Sequence, residues 1–249
     1  MNLVSDLGGA VARGEIVALF QPQVDAITRR IVGVEALARW DHPELGRIAP
    51  DVFIALAEEN QMIGEIGGFM IDEGCRCAAI WKALGHDIEV AVNVSAAQLN
   101  DLDFLDRVED SLARNDLSPE SLIIEITESL PMTDVPEVTA RLVHLRNLGL
   151  GISVDDFGTG YSSIAQLLVL PATELKIDQT LIQASAASPA LVRDAVAMAH
   201  KKGLRVVAEG VETEAQFDLA RDLNCDRAQG FLFSRPTSEA DIGALLAVG

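Results

Sequence analysis

Leu122-Ile123-Ile124-Glu125-Ile126, Pro136, Val138, Leu142, Leu145, Leu148, Gly149 and then Gly151-Ile152-Ser153-Val154-Asp155-Asp156 is the stretch that decides the fold. The first five residues are a short apolar, β-rich run that suits a strand. Pro136 fits a first helical turn, the next four apolar residues recur at spacings of three and four, and Gly149 is a stop signal. Gly151 to Val154 is the following strand. Strand, helix and strand within about 30 residues make a βαβ unit, whose two strands run parallel.

Outward from this unit the alternation continues toward the C-terminus. Ser188-Pro189 opens a helix with Leu191, Ala195 and Ala199 on one face, and Gly203 closes it. Arg205 to Ala208 is a strand, Thr213 with Gln216 is a capping box for a helix running to Leu223, and Ala228 to Phe233 enters a last strand. Toward the N-terminus the pattern changes. Val17 to Val24 and Ile31 to Trp40 are strands separated only by Asp25 to Arg30, short enough for a hairpin and therefore antiparallel. Two helical stretches follow, Pro50 to Glu59 and about Glu65 to Leu84, and then the strand Ile88 to Val94. About eight strands result, which predicts an α/β fold: a TIM-like (β/α)8 barrel whose first strand is antiparallel.

A chain of 249 residues with 49% apolar content and no Ser/Gly/Pro-rich linker suits one domain spanning residues 1–249. No run approaches the ~18 apolar residues of a membrane span, and the first residues lack the basic segment of a secretory signal. The expectation is a soluble, cytoplasmic domain. Three cysteines (Cys75, Cys77, Cys225) do not make a disulfide framework, and four scattered histidines have no zinc-ligand spacing. A formal charge of −19 disfavours long nucleic acid, which needs clustered Lys and Arg. It leaves room for a small anionic ligand where bound cations invert the local field.

The chemistry gathers at the C-terminal ends of the strands: Glu35, Asn93, Glu125, Asp155 with Asp156, Lys176 with Asp178, Glu209, and Gln229. In a parallel barrel these ends converge on the face that carries the active site. A single Asp after a strand is usually a helix cap. Five strands that each deliver a carboxylate, with an amide on a sixth, form a mutually repelling cluster that needs cations. Oxygen ligands without His or Cys suit Mg²⁺ or Mn²⁺, and an Asp-Asp pair can serve two ions. Lys176 balances charge or orients a water, and an ion pair with a neighbouring acid is compatible with both. The loop Asp156-Phe157-Gly158-Thr159-Gly160-Tyr161-Ser162-Ser163 has neither the Lys of a P-loop nor Rossmann spacing, and no kinase motifs accompany its Asp-Phe-Gly.

At these residues the sequence resembles the EAL-domain family of cyclic di-GMP phosphodiesterases. The motifs are Gln21-Pro22, Glu35-Ala36-Leu37-Ala38-Arg39-Trp40, Asn93-Val94-Ser95, Glu125-Ile126-Thr127-Glu128, Asp155 to Ser163, Lys176-Ile177-Asp178, Ala208-Glu209-Gly210-Val211-Glu212 and Gln229-Gly230. Eight short motifs in the family's order, from about Ile16 to Pro236, are specific together. The resemblance implies that Glu35, Asn93, Glu125 and Asp155 hold one Mg²⁺ or Mn²⁺, with Asp155 shared and Asp156 on a second ion. It implies that Lys176 holds the attacking water and that Glu209 is the general base or a second-metal contact. Gln21, Leu37, Arg39, Asp178, Glu212 and Pro236 match substrate-side positions. Glu128 matches the glutamate that anchors the Asp-Asp loop and links it to a homodimer. Two departures, Leu181 where an aromatic is usual and no basic residue within Asp178-Gln179-Thr180, touch no metal position.

The implied activity is two-metal hydrolysis of cyclic di-GMP to linear pGpG, in a chain that stands alone or serves a sensor domain in a longer parent. The alternative is a silent cyclic di-GMP receptor, which typically lacks one or more of the metal ligands. An unrelated metal-dependent barrel enzyme would show no preference for a cyclic dinucleotide.

Overall fold

The computed structural model describes residues 2–127, 135–157, 170–185 and 189–248. Nine strands lie among them: β1 (Ile16–Asp25), β2 (Ile31–His42), β3 (Gly46–Ile48), β4 (Glu89–Asn93), β5 (Leu122–Thr127), β6 (Gly151–Phe157), β7 (Glu174–Ile177), β8 (Arg205–Ala208) and β9 (Arg227–Gln229). Ten α-helices accompany them: α1 (Leu3–Leu7), α2 (Pro50–Glu59), α3 (Ile63–Ala83), α4 (Ala96–Leu99), α5 (Phe104–Arg114), α6 (Val135–Leu148), α7 (Gln179–Ser185), α8 (Ala190–Lys201), α9 (Glu214–Asp222) and α10 (Glu239–Val248).

From β2 the sheet runs parallel through β4, β5, β6, β7, β8 and β9. β1 closes it, antiparallel to both β2 and β9. Eight strands thus form a closed barrel whose first strand runs against the rest, as the short loop after β1 requires. That loop is an Asx turn: Asp25 Oδ1 accepts from the backbone nitrogens of Ile27 (3.1 Å) and Thr28 (2.6 Å), and Arg29 takes a positive φ of 60°. β3 pairs only with the end of β2, outside the barrel.

The strand faces divide cleanly. One set of alternating residues, including Val34, Val90, Val92, Ile124, Ile152, Leu175 and Val206, joins the inner faces of the helices in one continuous apolar cluster. The other set faces the lumen. Cross-strand partners share a face, which aligns Gln21, Glu35, Ala91 and Ile123, and likewise Asn93, Glu125, Ser153, Glu174 and Arg205. Ala91, Ile123 and Val207 are buried yet lie outside the main apolar cluster. The lumen is therefore mostly polar. At its N-terminal end the buried Glu174 accepts from Ser153 Oγ (3.0 Å) and Arg205 Nε (2.6 Å), and Arg205 and Arg227 both pair with Glu89.

The last strand is shorter than the expected Ala228 to Phe233, ending at Gln229. The cause is a close approach at Gly230, where a Cβ would stand 2.1 Å from the Val211 carbonyl oxygen. Val211 N–H donates to Gln229 O (3.0 Å) and Leu232 N–H to Val211 O (3.0 Å), so the chain turns over the loop that follows β8. The three cysteines are buried and free. No helix of the described residues is long and apolar enough to cross a membrane.

Candidate active site

Lys176, near the end of β7, is fully buried and stands at the centre of the barrel mouth. Its ammonium lies 2.8 Å from Glu209, 3.0 Å from Glu125, and 3.3 Å from both Glu35 and Asp155. Four strands thus bring one carboxylate each to one cation, and β6 supplies Asp156 as a fifth. Successive residues of a regular strand face opposite ways. Here the register of β6 shifts between Val154 and Phe157, and Asp156 adopts φ 60°, a left-handed conformation that Asp tolerates better than most residues. The Asp156 N–H donates to Asp155 Oδ1 at 2.8 Å. This kink lets two consecutive carboxylates serve one site.

Amides fix Glu35 from both sides. Asn93 Nδ2 donates to its Oε1 (2.7 Å) and Gln229 Nε2 to its Oε2 (2.6 Å). The Asn93 amide nitrogen is thereby used, which leaves its carbonyl oxygen as the atom it can offer a cation. Burial opposes ionisation of Glu35, but Lys176 and the two amide donors outweigh it and hold its pKa below the usual value. Glu125 is the reverse case: burial raises its pKa well above the usual value against the pull of Lys176. Burial, with Asp155 alongside, also raises Asp156. Glu209 is pushed up to about 8 by desolvation, with Asp155 adding and Lys176 opposing. Burial works against the Lys176 charge, yet Glu125, Glu209, Glu35 and Asp155 together keep the ammonium charged.

The donor set fits divalent cations. Oxygens of Glu35, Glu125 and Asp155 lie within 4.8 Å of one another, and so do those of Asp155, Asp156 and Glu209. Asp155 belongs to both groups, the arrangement expected where one carboxylate is shared by two ions. Glu125 Oε1 is buried without a hydrogen-bond partner, an orphaned acceptor that a cation would satisfy. These oxygens suit Mg²⁺ or Mn²⁺, with no His or Cys among them.

A cavity of about 280 Å³ opens over this cluster, lined by Gln21, Glu35, Leu37, Asp156, Asp178, Glu209, Glu212 and Phe231 among others. Arg39 lies apart from it, lining a larger groove of about 920 Å³ with Asn93, Asp51 and Glu58 between β2, β4, α2 and α3. Leu37 borders both. Pro236 lines neither cavity, and Glu128 and Gly158 to Ser163 lie outside the described residues. Asp178 Oδ1 accepts from Thr180 N–H (2.8 Å), so it also turns the chain into α7. Sequence reasoning missed Phe231, 47% exposed on the wall beside the Arg235 guanidinium at 4.2 Å. Its only signal is an aromatic directly after Gln229-Gly230. Gln229 drew attention as a strand-end residue, but its hold on Glu35 could not be read from the chain.

A family model described as EAL domain matches residues 4–236. A bifunctional diguanylate cyclase/cyclic di-GMP phosphodiesterase, MucR of Pseudomonas aeruginosa, is 43% identical over 251 residues, covering 99% of this chain and 37% of its own length. The oxygen sensor protein DosP of Escherichia coli is 38% identical over 237 residues, covering 94% of this chain and 30% of its own length. The chain thus spans about a third of these relatives. Among solved structures, a MucR phosphodiesterase in complex with c-di-GMP superposes with a TM-score of 0.91 at 43% identity, covering 97% of this chain and 100% of that one. The FimX EAL domain of Pseudomonas aeruginosa, at 20% identity and a TM-score of 0.86 over 95% of this chain and 97% of its own, shares the fold.

Proposed function

Because the chain belongs to the EAL domain family, we propose that its barrel mouth hydrolyses cyclic di-GMP, opening one phosphodiester bond to give linear pGpG. The two carboxylate groups that share Asp155 carry this reading. Glu35, Asn93, Glu125 and Asp155 would hold one Mg²⁺ or Mn²⁺, and Asp155, Asp156 and Glu209 the other. Such a pair of cations supplies neutralisation of the phosphate charge and acidification of the attacking water.

The chain's own residues do the rest. Lys176 sits where its ammonium can orient the water and balance charge gathering on the phosphate oxygens. Its contact with Glu209 at 2.8 Å keeps that carboxylate aimed at the same point. Glu209, beside that ammonium, would offer a carboxylate oxygen to accept the proton that the water gives up. Asp178 and Glu212 present acceptors in the cavity, matching the N–H groups of a guanine edge, while Gln21 and Leu37 wall it. Arg39, in the neighbouring groove, is a donor for a phosphate oxygen. Every metal-ligand position of the family is filled, which supports a hydrolase over a receptor.

One domain over residues 1–249, a homodimer with Glu128 at its loop anchor, a cytoplasmic setting and a sensor domain in a longer parent chain belong to the same proposal. The greater length of the relatives supports the last of these. The test is chromatography of cyclic di-GMP incubated with the protein and Mg²⁺ or Mn²⁺, beside a chelated control. Metal-dependent pGpG is the expected result. Tight binding of intact cyclic di-GMP without product would turn the reading to a receptor.

A further inference from the structure

Glu35 is held by a chain of hydrogen bonds that runs inside the barrel along the neighbouring strands β2, β1 and β9 toward its opposite end. Arg227 Nη1 donates to Gln23 Oε1 (3.4 Å), Gln23 Nε2 donates to Gln229 Oε1 (3.1 Å), and Gln229 Nε2 donates to Glu35 Oε2 (2.6 Å). A carboxamide can face either way, and its neighbours decide which end donates. Here both ends of the chain are unambiguous. A guanidinium only donates and an ionised carboxylate only accepts, so both amides between them are forced into one orientation. Gln23 is 1% exposed and Gln229 3%, so water is not at hand to take over either role.

The barrel is shaped for this chain. Gln23 stands opposite Gln229 on one side and opposite Gly33 on the other. A Cβ at residue 33 would lie 3.2 Å from Arg227 Nη1 and 3.4 Å from Gln23 Oε1, so the glycine leaves room for both. Arg227 is anchored in turn by Glu89.

We propose that Gln23, backed by Arg227, is a positioning residue for Glu35: it holds the Gln229 carboxamide by its oxygen, so that its NH₂ stays on the carboxylate. This rests on the metal-site reading of Glu35 given above. Gln229 Nε2 also donates to Gln21 Oε1 (3.2 Å), so the Gln23 donor is what holds the other end of this amide; without it the buried Gln229 oxygen loses that donor and the carboxamide can swing away from Glu35. The ligand oxygen then leaves its place although no ligand has been changed.

The test is Mn²⁺ binding by calorimetry, without substrate, for wild type and two variants. Gln23→Met removes the amide at similar volume. Gln23→Glu keeps an acceptor for Arg227 but cannot donate to Gln229 when ionised, and it carries the test should Gln23→Met not fold. The expected result is a Mn²⁺ Kd raised by roughly tenfold, the scale on which partners of metal ligands act. The KM for cyclic di-GMP should stay within about twofold, because Gln23 does not line the mouth. An unchanged Mn²⁺ Kd, with or without a lower Tm, would overturn the proposal, since a merely structural residue moves the Tm alone. A wild type that binds Mn²⁺ but leaves cyclic di-GMP intact would sink the phosphodiesterase reading by itself, and the Kd comparison would still decide the role of Gln23.

Discussion

Lys176 contributes the one cation that the described residues bring within reach of Glu35, Glu125, Asp155 and Glu209. Removing one partner of a buried ion cluster leaves uncompensated charge, at a cost of roughly 3–5 kcal/mol. Lys176→Met is therefore expected to lower the urea midpoint of the metal-free protein sharply, and Mn²⁺ should restore part of the loss. An unchanged midpoint in chelator would contradict the electrostatic account. Glu125 sits on the other side of this balance. Its carboxylate is buried with one oxygen unpartnered, a burden on stability in the absence of a cation. Glu125→Gln should leave the metal-free protein at least as stable as wild type by thermal unfolding, while Mn²⁺ affinity falls at least about tenfold. A variant that loses stability and keeps its affinity would show that Glu125 serves the fold.

At the scale of elements, the join between β9 and the loop after β8 is a close backbone approach beside the site. Gly230→Ala would force a methyl group against the Val211 backbone, with a strain of roughly 1–3 kcal/mol. Because Gln229 precedes this point, the same change should also displace the amide that holds Glu35. Thermal unfolding and Mn²⁺ calorimetry on this variant are expected to shift together. The alternation of strand and helix after Leu122 was legible in the chain because Gly and Pro mark its boundaries and apolar spacing switches between two and three-to-four. The reversed β1 was legible because six residues cannot make a parallel crossover. The end of β9 at Gln229 was not, since an apolar run such as Gly230-Phe231-Leu232-Phe233 reads as strand until its backbone neighbour is known. The converging carboxylates were visible as strand-end residues. The Gln23–Gln229 contact was not, because period-two alternation says that Gln21 and Gln23 share a face but not that β9 pairs beside β1 with Gln229 opposite Gln23.

The whole molecule is an apolar shell of helices around a barrel whose lumen is charged at both ends: a closed ion-pair network where the parallel strands begin, and an excess of carboxylate where they end. The excess makes the metal-free protein sensitive to pH. Glu209 holds a proton up to about 8 in the fold, whereas its ordinary pKa is 4.5. Between these values the folded chain binds more protons than the unfolded one, so the stability of the metal-free protein falls as pH rises through that window. Glu125, also raised, acts in the same direction. Saturating Mn²⁺ should flatten that slope by displacing the protons, and calorimetry at pH 7 in buffers of different ionisation heat should register proton release on Mn²⁺ binding. A pH-independent Tm in chelator would contradict this.

The claim beneath all of these is that the barrel mouth is a two-cation centre built around Asp155. Anomalous scattering from a crystal of the protein grown with Mn²⁺ tests it most directly. The account predicts two anomalous peaks roughly 3.5–4 Å apart, one against Glu35, Asn93 and Glu125, the other against Asp156 and Glu209, with Asp155 touching both. A mouth without anomalous signal at saturating Mn²⁺, its carboxylates gathered on Lys176 alone, would contradict it.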